Sequence, residues 1–143
     1  MFHEYTNSLA PLVQSLLVET MRQFQSLNMF EHHPDVVDDS FILAGRCLRY
    51  CPKILVMSEL IGPILDWGIL GMHVQHKDAC LSIQDFFQKL IKLARDGSPI
   101  AAEVRSVLPA RGPIMVRIVA CFQVEHSTII SYNIKLNKNA YLF

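Results

Sequence analysis

The stretch HHPDVVDDSFILAGRCLRYCP, residues 32–52, supports two opposed readings. Two histidines and three aspartates crowd its first eight positions, the composition of a metal or hydrolase site. The residues behind them keep helical time instead. Val37, Phe41, Ala44, Leu48 and Cys51 recur at alternating steps of four and three, the spacing of one buried helix face. Pro52, which has no N–H to give, closes the segment.

Working outward, the apolar positions Val13, Leu17, Met21, Phe24 and Leu27 trace a face of a preceding helix expected from Leu9 to Leu27. Ser8 is its expected N-cap and Pro11 falls in its first turn. On the other side lies ILVMSELIGPILDWGILGM, residues 54–72. It is apolar enough to be weighed as a membrane span. Glu59 and Asp66 stand seven residues apart, however, and an acid in mid-bilayer costs roughly 2.5–3.5 kcal/mol. A nearly buried helix with one polar stripe accounts for the spacing better.

These segments repeat. Adding 43 to each number carries Leu12 to Leu55, Val13 to Val56, Leu17 to Leu60, Met21 to Ile64, Phe24 to Trp67 and Leu27 to Leu70. The same shift takes Val37 to Cys80, Ala44 to Phe87, Leu48 to Ile91 and Cys51 to Ala94, while Phe41 meets Gln84, a mismatch. Paired helices with a period in the low forties predict an all-α fold, an α-solenoid of antiparallel helix pairs of the HEAT or armadillo kind. The period also decides the opening question. His33-Pro34-Asp35 recurs as His76-Lys77-Asp78 at the next helix entrance, so Asp35 and Asp78 are expected to serve as structural helix caps. The metallohydrolase alternative, built on His32, His33, Asp35 and Asp39, needs ligands converging from separate elements, and the sequence offers no distant partner cluster.

After Arg95 the pattern loosens. Gly97 suits a helix terminus, Ser98-Pro99 opens a helix running to about Leu108, and PARGP at 109–113 interrupts it. A short helix from Ile114 to Phe122 is expected next. Residues 1–127 are read as about two and a half to three helical repeats. The tail 128–143, rich in β-branched residues and asparagine, is expected to be poorly ordered and foreign to the pattern.

Composition narrows function. Thirteen basic and thirteen acidic residues leave no net charge to draw in nucleic acid or an anionic membrane. Hydrophobic residues at 51% call for a buried core, with end faces left bare if the chain is a piece of a longer array. Cys47, Cys51, Cys80 and Cys121 form no C-x-x-C pair and read as buried thiols. No G-x-S-x-G, P-loop or Gly-rich dinucleotide turn occurs, so neither catalysis nor a cofactor is expected.

Three stretches carry a family resemblance: HPDVVDDSF at 33–41, PILDWGIL at 63–70 and HKDACLSIQDFFQKLI at 76–91. They resemble the transportin-SR branch of the importin-β superfamily, which includes the relatives of importin thirteen, and Arg46 matches a family arginine. The resemblance spans roughly residues 8–123. It implies a fragment from the C-terminal half of a nuclear transport receptor that shuttles between cytoplasm and nucleus. Protein cargo and the Ran GTPase would be partners of the full-length parent. The Ran-binding repeats and arginine-rich cargo helix of the family have no counterpart here. In this superfamily the second helix of each pair lines the concave side, where Arg46, Arg49, Lys89 and Lys92 would hold a partner. A HEAT scaffold unrelated to nuclear transport is the competing reading.

Overall fold

The computed structural model describes residues 2–114 apart from 75, 96, 110 and 112, and residues 2–6 through their backbone alone. Seven helices follow in order: α1 Phe2–Gln23, α2 Leu27–His32, α3 Pro34–Tyr50, α4 Lys53–Val56, α5 Ile61–Gly71, α6 Lys77–Leu93 and α7 Ala101–Val107. No strand occurs among the described residues. The tail 128–143, Cys121 and all but the start of the helix expected at 114–122 lie outside them.

The long amphipathic helices stand where the periodicity put them. α3 buries Val37, Phe41, Ala44 and Leu48. α6 buries Ile83, Phe86, Phe87, Leu90 and Ile91. Four boundaries differ from expectation. α1 begins at Phe2, so Pro11 sits inside the helix rather than in its first turn. A proline there removes one backbone hydrogen bond, and the turn ahead of it continues regardless.

At its other end α1 stops at Gln23 instead of reaching Leu27. Ser26 caps a new short helix by accepting the Met29 N–H at 3.3 Å. The segment 54–72 is likewise two helices rather than one. Ser58 donates to the Leu55 carbonyl at 2.8 Å and accepts from the Leu60 N–H at 3.3 Å, competing with the helical ladder. Glu59 therefore lies in the break and shares no stripe with Asp66. Gly97 does end its turn, at φ +94°, and α7 starts at Ala101 with Ile100 as its N-cap, later than Ser98-Pro99 suggested.

The entrance aspartates also require correction. His33, not Asp35, is the N-cap of α3, and its side chain makes no capping bond. His76, not Asp78, caps α6, its Nδ1 accepting the Ala79 N–H at 3.3 Å. Asp35 and Asp78 occupy the second helical position, where their charge complements the positive helix end without a capping hydrogen bond. At α6 the His76 lone pair already occupies the cap site. We expect His76→Ala to lower stability by about 1 kcal/mol in a urea titration, the usual cost of a lost cap, and Asp78→Ala to cost less than half of that. Equal losses would restore Asp78 as the cap.

The packing direction follows from pairwise contacts. Asp38 accepts from the Ser82 hydroxyl, the Phe41 and Phe86 rings meet at 5.5 Å, and Gly45 lies against Asp85 and Lys89. Numbers rise together, so α3 and α6 run side by side in one direction. Against them α5 runs the opposite way. A Cβ placed on Gly68 would stand 2.8 Å from Phe87 and 3.1 Å from Phe41; one on Gly71 would stand 2.7 Å from Ile83 and 3.6 Å from Val37.

An aromatic chain joins these layers. Trp67 stacks on Phe41 at 5.3 Å and tilts against Phe30 at 5.3 Å, and Phe41 meets Phe86 edge-on. The Trp67 indole N–H donates to the Phe24 carbonyl at 2.8 Å, so its one polar atom is satisfied in the core. The long-range polar ties share a common span. Gln14 reaches the Ile54 carbonyl 40 residues on, Phe24 and Trp67 are 43 apart, Asp38 and Ser82 are 44 apart, and Asp66 and Arg111 are 45 apart.

One face has no cover among the described residues. Leu9, Leu12 and Leu16 of α1 are exposed on it, and Leu12 is 65% accessible, whereas Leu55, 43 residues later, is wholly buried.

Candidate protein-binding face

The C-terminal halves of α3 and α6 carry Arg46, Arg49, Lys89 and Lys92, the residues expected to hold a partner. Along α3 the exposed positions Asp35, Asp39, Ile42, Arg46 and Arg49 follow each other at helical spacing, acidic at the start and basic at the end. This polarity suits the helix dipole, which favours anions at the N-terminus and cations at the C-terminus. Because α6 runs alongside α3, its Lys89 and Lys92 stand 43 positions beyond Arg46 and Arg49.

Between the helices lies a shallow groove of about 370 Å³, with Arg46, Arg49 and Lys89 in its wall and Ile42, Leu81 and Tyr50 supplying apolar surface. Lys92 is exposed further along α6 and does not line it.

The cations in the groove are not equivalent. Lys89 is bonded to Asp85 one turn earlier at 2.5 Å, so its charge is locally balanced. Arg49 lies over the ring of its neighbour Tyr50, 5.4 Å from the centroid, a contact that leaves its N–H edges open. Arg46 forms no ion pair among the described residues and is exposed. A guanidinium in that position offers a planar fork to a carboxylate or phosphate.

The histidine–aspartate cluster assembles nothing comparable. The His32 Nδ1–H donates to the Asn28 carbonyl at 2.7 Å, while His33 meets the Phe24 ring edge-on at 5.9 Å. Asp35 and Asp39 are exposed on α3. Among the described residues no three His, Cys, Asp or Glu side chains come together to hold a metal ion. Cys47 is buried, and desolvation, reinforced by the nearby Cys51 thiol, pushes its pKa up to about 11. It is a protonated core side chain at neutral pH, with little thiolate to act as a nucleophile. No helix among the described residues is long and apolar enough to cross a membrane.

A tie that the sequence did not reveal fixes the loop after α7. Arg111, from the PARGP stretch, grips both Asp66 carboxylate oxygens, at 2.6 and 2.8 Å. The guanidinium hydrogen bonds hold the Asp66 carboxyl below the ordinary aspartate range. A depressed folded-state pKa stabilises the protein above the unfolded value and loses that contribution as pH falls through the folded one.

The pair is largely exposed, so we expect it to contribute roughly 0.2–1 kcal/mol. The stability difference between wild type and Asp66→Asn should hold from neutral pH to about pH 4 and shrink below it. Denaturant midpoints across that range check the sign, and a gap that widens in acid would contradict it.

Over 84 residues the chain is 34% identical to Transportin MOS14 of Arabidopsis thaliana. It is similar to a transportin. The matched stretch is 59% of this chain and 9% of that transportin, so the chain spans a small part of the length of the curated relative it matches. No protein-family profile matches the chain. The similarity supports a relationship to the importin-β family of nuclear transport receptors as a whole and singles out no branch of it.

Proposed function

We propose that this chain forms helical repeat units of an importin-β-type nuclear transport receptor, of the transportin-SR or importin-thirteen kind. It would bind protein and catalyse nothing. The observation that carries the reading is the common span of the long-range ties. Bonds spanning 40, 43, 44 and 45 residues fall close to the sequence period of 43, which is what stacked HEAT units of one period would produce. The transportin similarity gives that stack a functional context. The uncovered Leu12, whose counterpart Leu55 is fully buried, agrees with a further unit stacking on α1.

On this reading the chain contributes a stretch of a larger curved surface. The parent takes up protein cargo in the cytoplasm and releases it in the nucleus on binding Ran-GTP. Uncapped end faces make the isolated chain prone to associate. The test is a pull-down with the longer parent protein bearing these repeats. Nuclear-import cargo should be retained without Ran-GTP and released when it is added. Retention indifferent to Ran-GTP, or a parent confined to one compartment, would overturn the reading.

A further inference from the structure

We infer that the groove between α3 and α6 docks an extended acidic protein segment carrying an apolar side chain, with Arg46 and Arg49 gripping carboxylates and Leu81 beside Ile42 receiving the apolar group. The inference rests on reading these helices as a partner-binding face and names the partner's chemistry. Three features carry it. Lys89 is already balanced by Asp85, so the surplus positive charge in the groove belongs to the two arginines. Those arginines stand three residues apart on one exposed helix face, so successive acidic groups of an extended chain can meet both. Leu81 and Ile42 expose large apolar side chains on the same groove, and exposed leucine and isoleucine gain by being covered.

Asp85 is taken up by Lys89, so the groove offers two open guanidiniums, which two carboxylates of neighbouring acidic residues match one for one. An aliphatic residue flanked by acids matches both the apolar strip and the arginines beside it.

The experiment titrates the full 143-residue chain with a short fluorescein-labelled peptide of glutamates around a leucine pair, read by anisotropy. Parallel titrations use one peptide with glutamine for each glutamate and one with phosphoserine for each glutamate. The glutamate peptide should bind best, with affinity falling as salt rises. Arg46→Gln with Arg49→Gln should weaken it about tenfold, and Leu81→Ala about fivefold. Arg22→Gln, which removes an exposed arginine on α1 away from the groove, should leave it unchanged. These replacements are all at exposed positions, and circular dichroism verifies that each variant keeps its helix content. Equal binding of the glutamine peptide, tighter binding of the phosphoserine peptide, or indifference to the paired arginine change would each overturn the inference. Release by Ran-GTP from the parent is read separately, so losing one result leaves the other intact.

Discussion

Trp67→Ala should remove about 3–5 kcal/mol of stability, a large share of what a domain this size possesses. The indole is nearly buried, stacked on Phe41 and tilted against Phe30, and its deletion opens a cavity among rings that are themselves fully enclosed. It also strands the Phe24 carbonyl, which accepts the indole N–H at 2.8 Å. Trp67→Phe separates the two effects. The ring stays while the hydrogen bond goes, and a loss of about 1 kcal/mol plus a small cavity cost is expected. Urea titrations of the three proteins measure both. A loss under about 1.5 kcal/mol for the alanine variant would mean that the rings collapse into the space.

Gly68→Val is the second large effect, and it works by overfilling. A Cβ at Gly68 would lie 2.8 Å from Cζ and 3.0 Å from Cε1 of Phe87, and 3.1 Å from Cζ of Phe41. Those rings are fully buried and have no free space to retreat into, so α5 itself must move off α3 and α6. Overpacking of this kind costs about 1–3 kcal/mol, and the β-branched valine belongs at the upper end.

Gly68→Ala should be milder, because the helix recovers about 1 kcal/mol of propensity. Gly62→Ala on the same helix is the control. Its added Cβ would meet only the flexible end of Arg111 at 3.4 Å, so the propensity gain should leave stability level or raised. If Gly68→Val melted like wild type, the close approach of α5 to both neighbours would be wrong.

What could be read from the residues was the part written in periodicity. α3 and α6 each carry a clean four-and-three stripe, and their boundaries fall close to expectation. The breaks at Phe24–Ser26 and Met57–Leu60 were hidden because each turns on one serine bonding the nearby backbone. Such a bond competes with the helix at a cost too local to disturb an apolar stripe. The cap was misplaced because aspartate is the commoner N-cap residue, whereas here the histidine two positions earlier supplies the acceptor.

At the groove, Arg46, Arg49 and Lys89 were visible as exposed helical cations, but Lys92 falls outside it. The balance of Lys89 by Asp85 sits at ordinary i to i+4 spacing. Only the structure shows that Ile42 and Leu81, from different helices, share the same opening. The Arg111–Asp66 tie spans 45 residues and leaves no trace in local pattern at all.

The uniform reach of the ties has a bearing on how the chain acquires its shape during synthesis. Gln14 finds the Ile54 carbonyl, Phe24 finds Trp67 and Asp38 finds Ser82 in the order in which the later partners are made. None waits for a distant terminus, and each loop to be closed is of similar size, so the entropy penalty is met in even instalments. A nascent chain leaving the ribosome N-terminus first can therefore settle progressively, each newly extruded helix docking on one already in place.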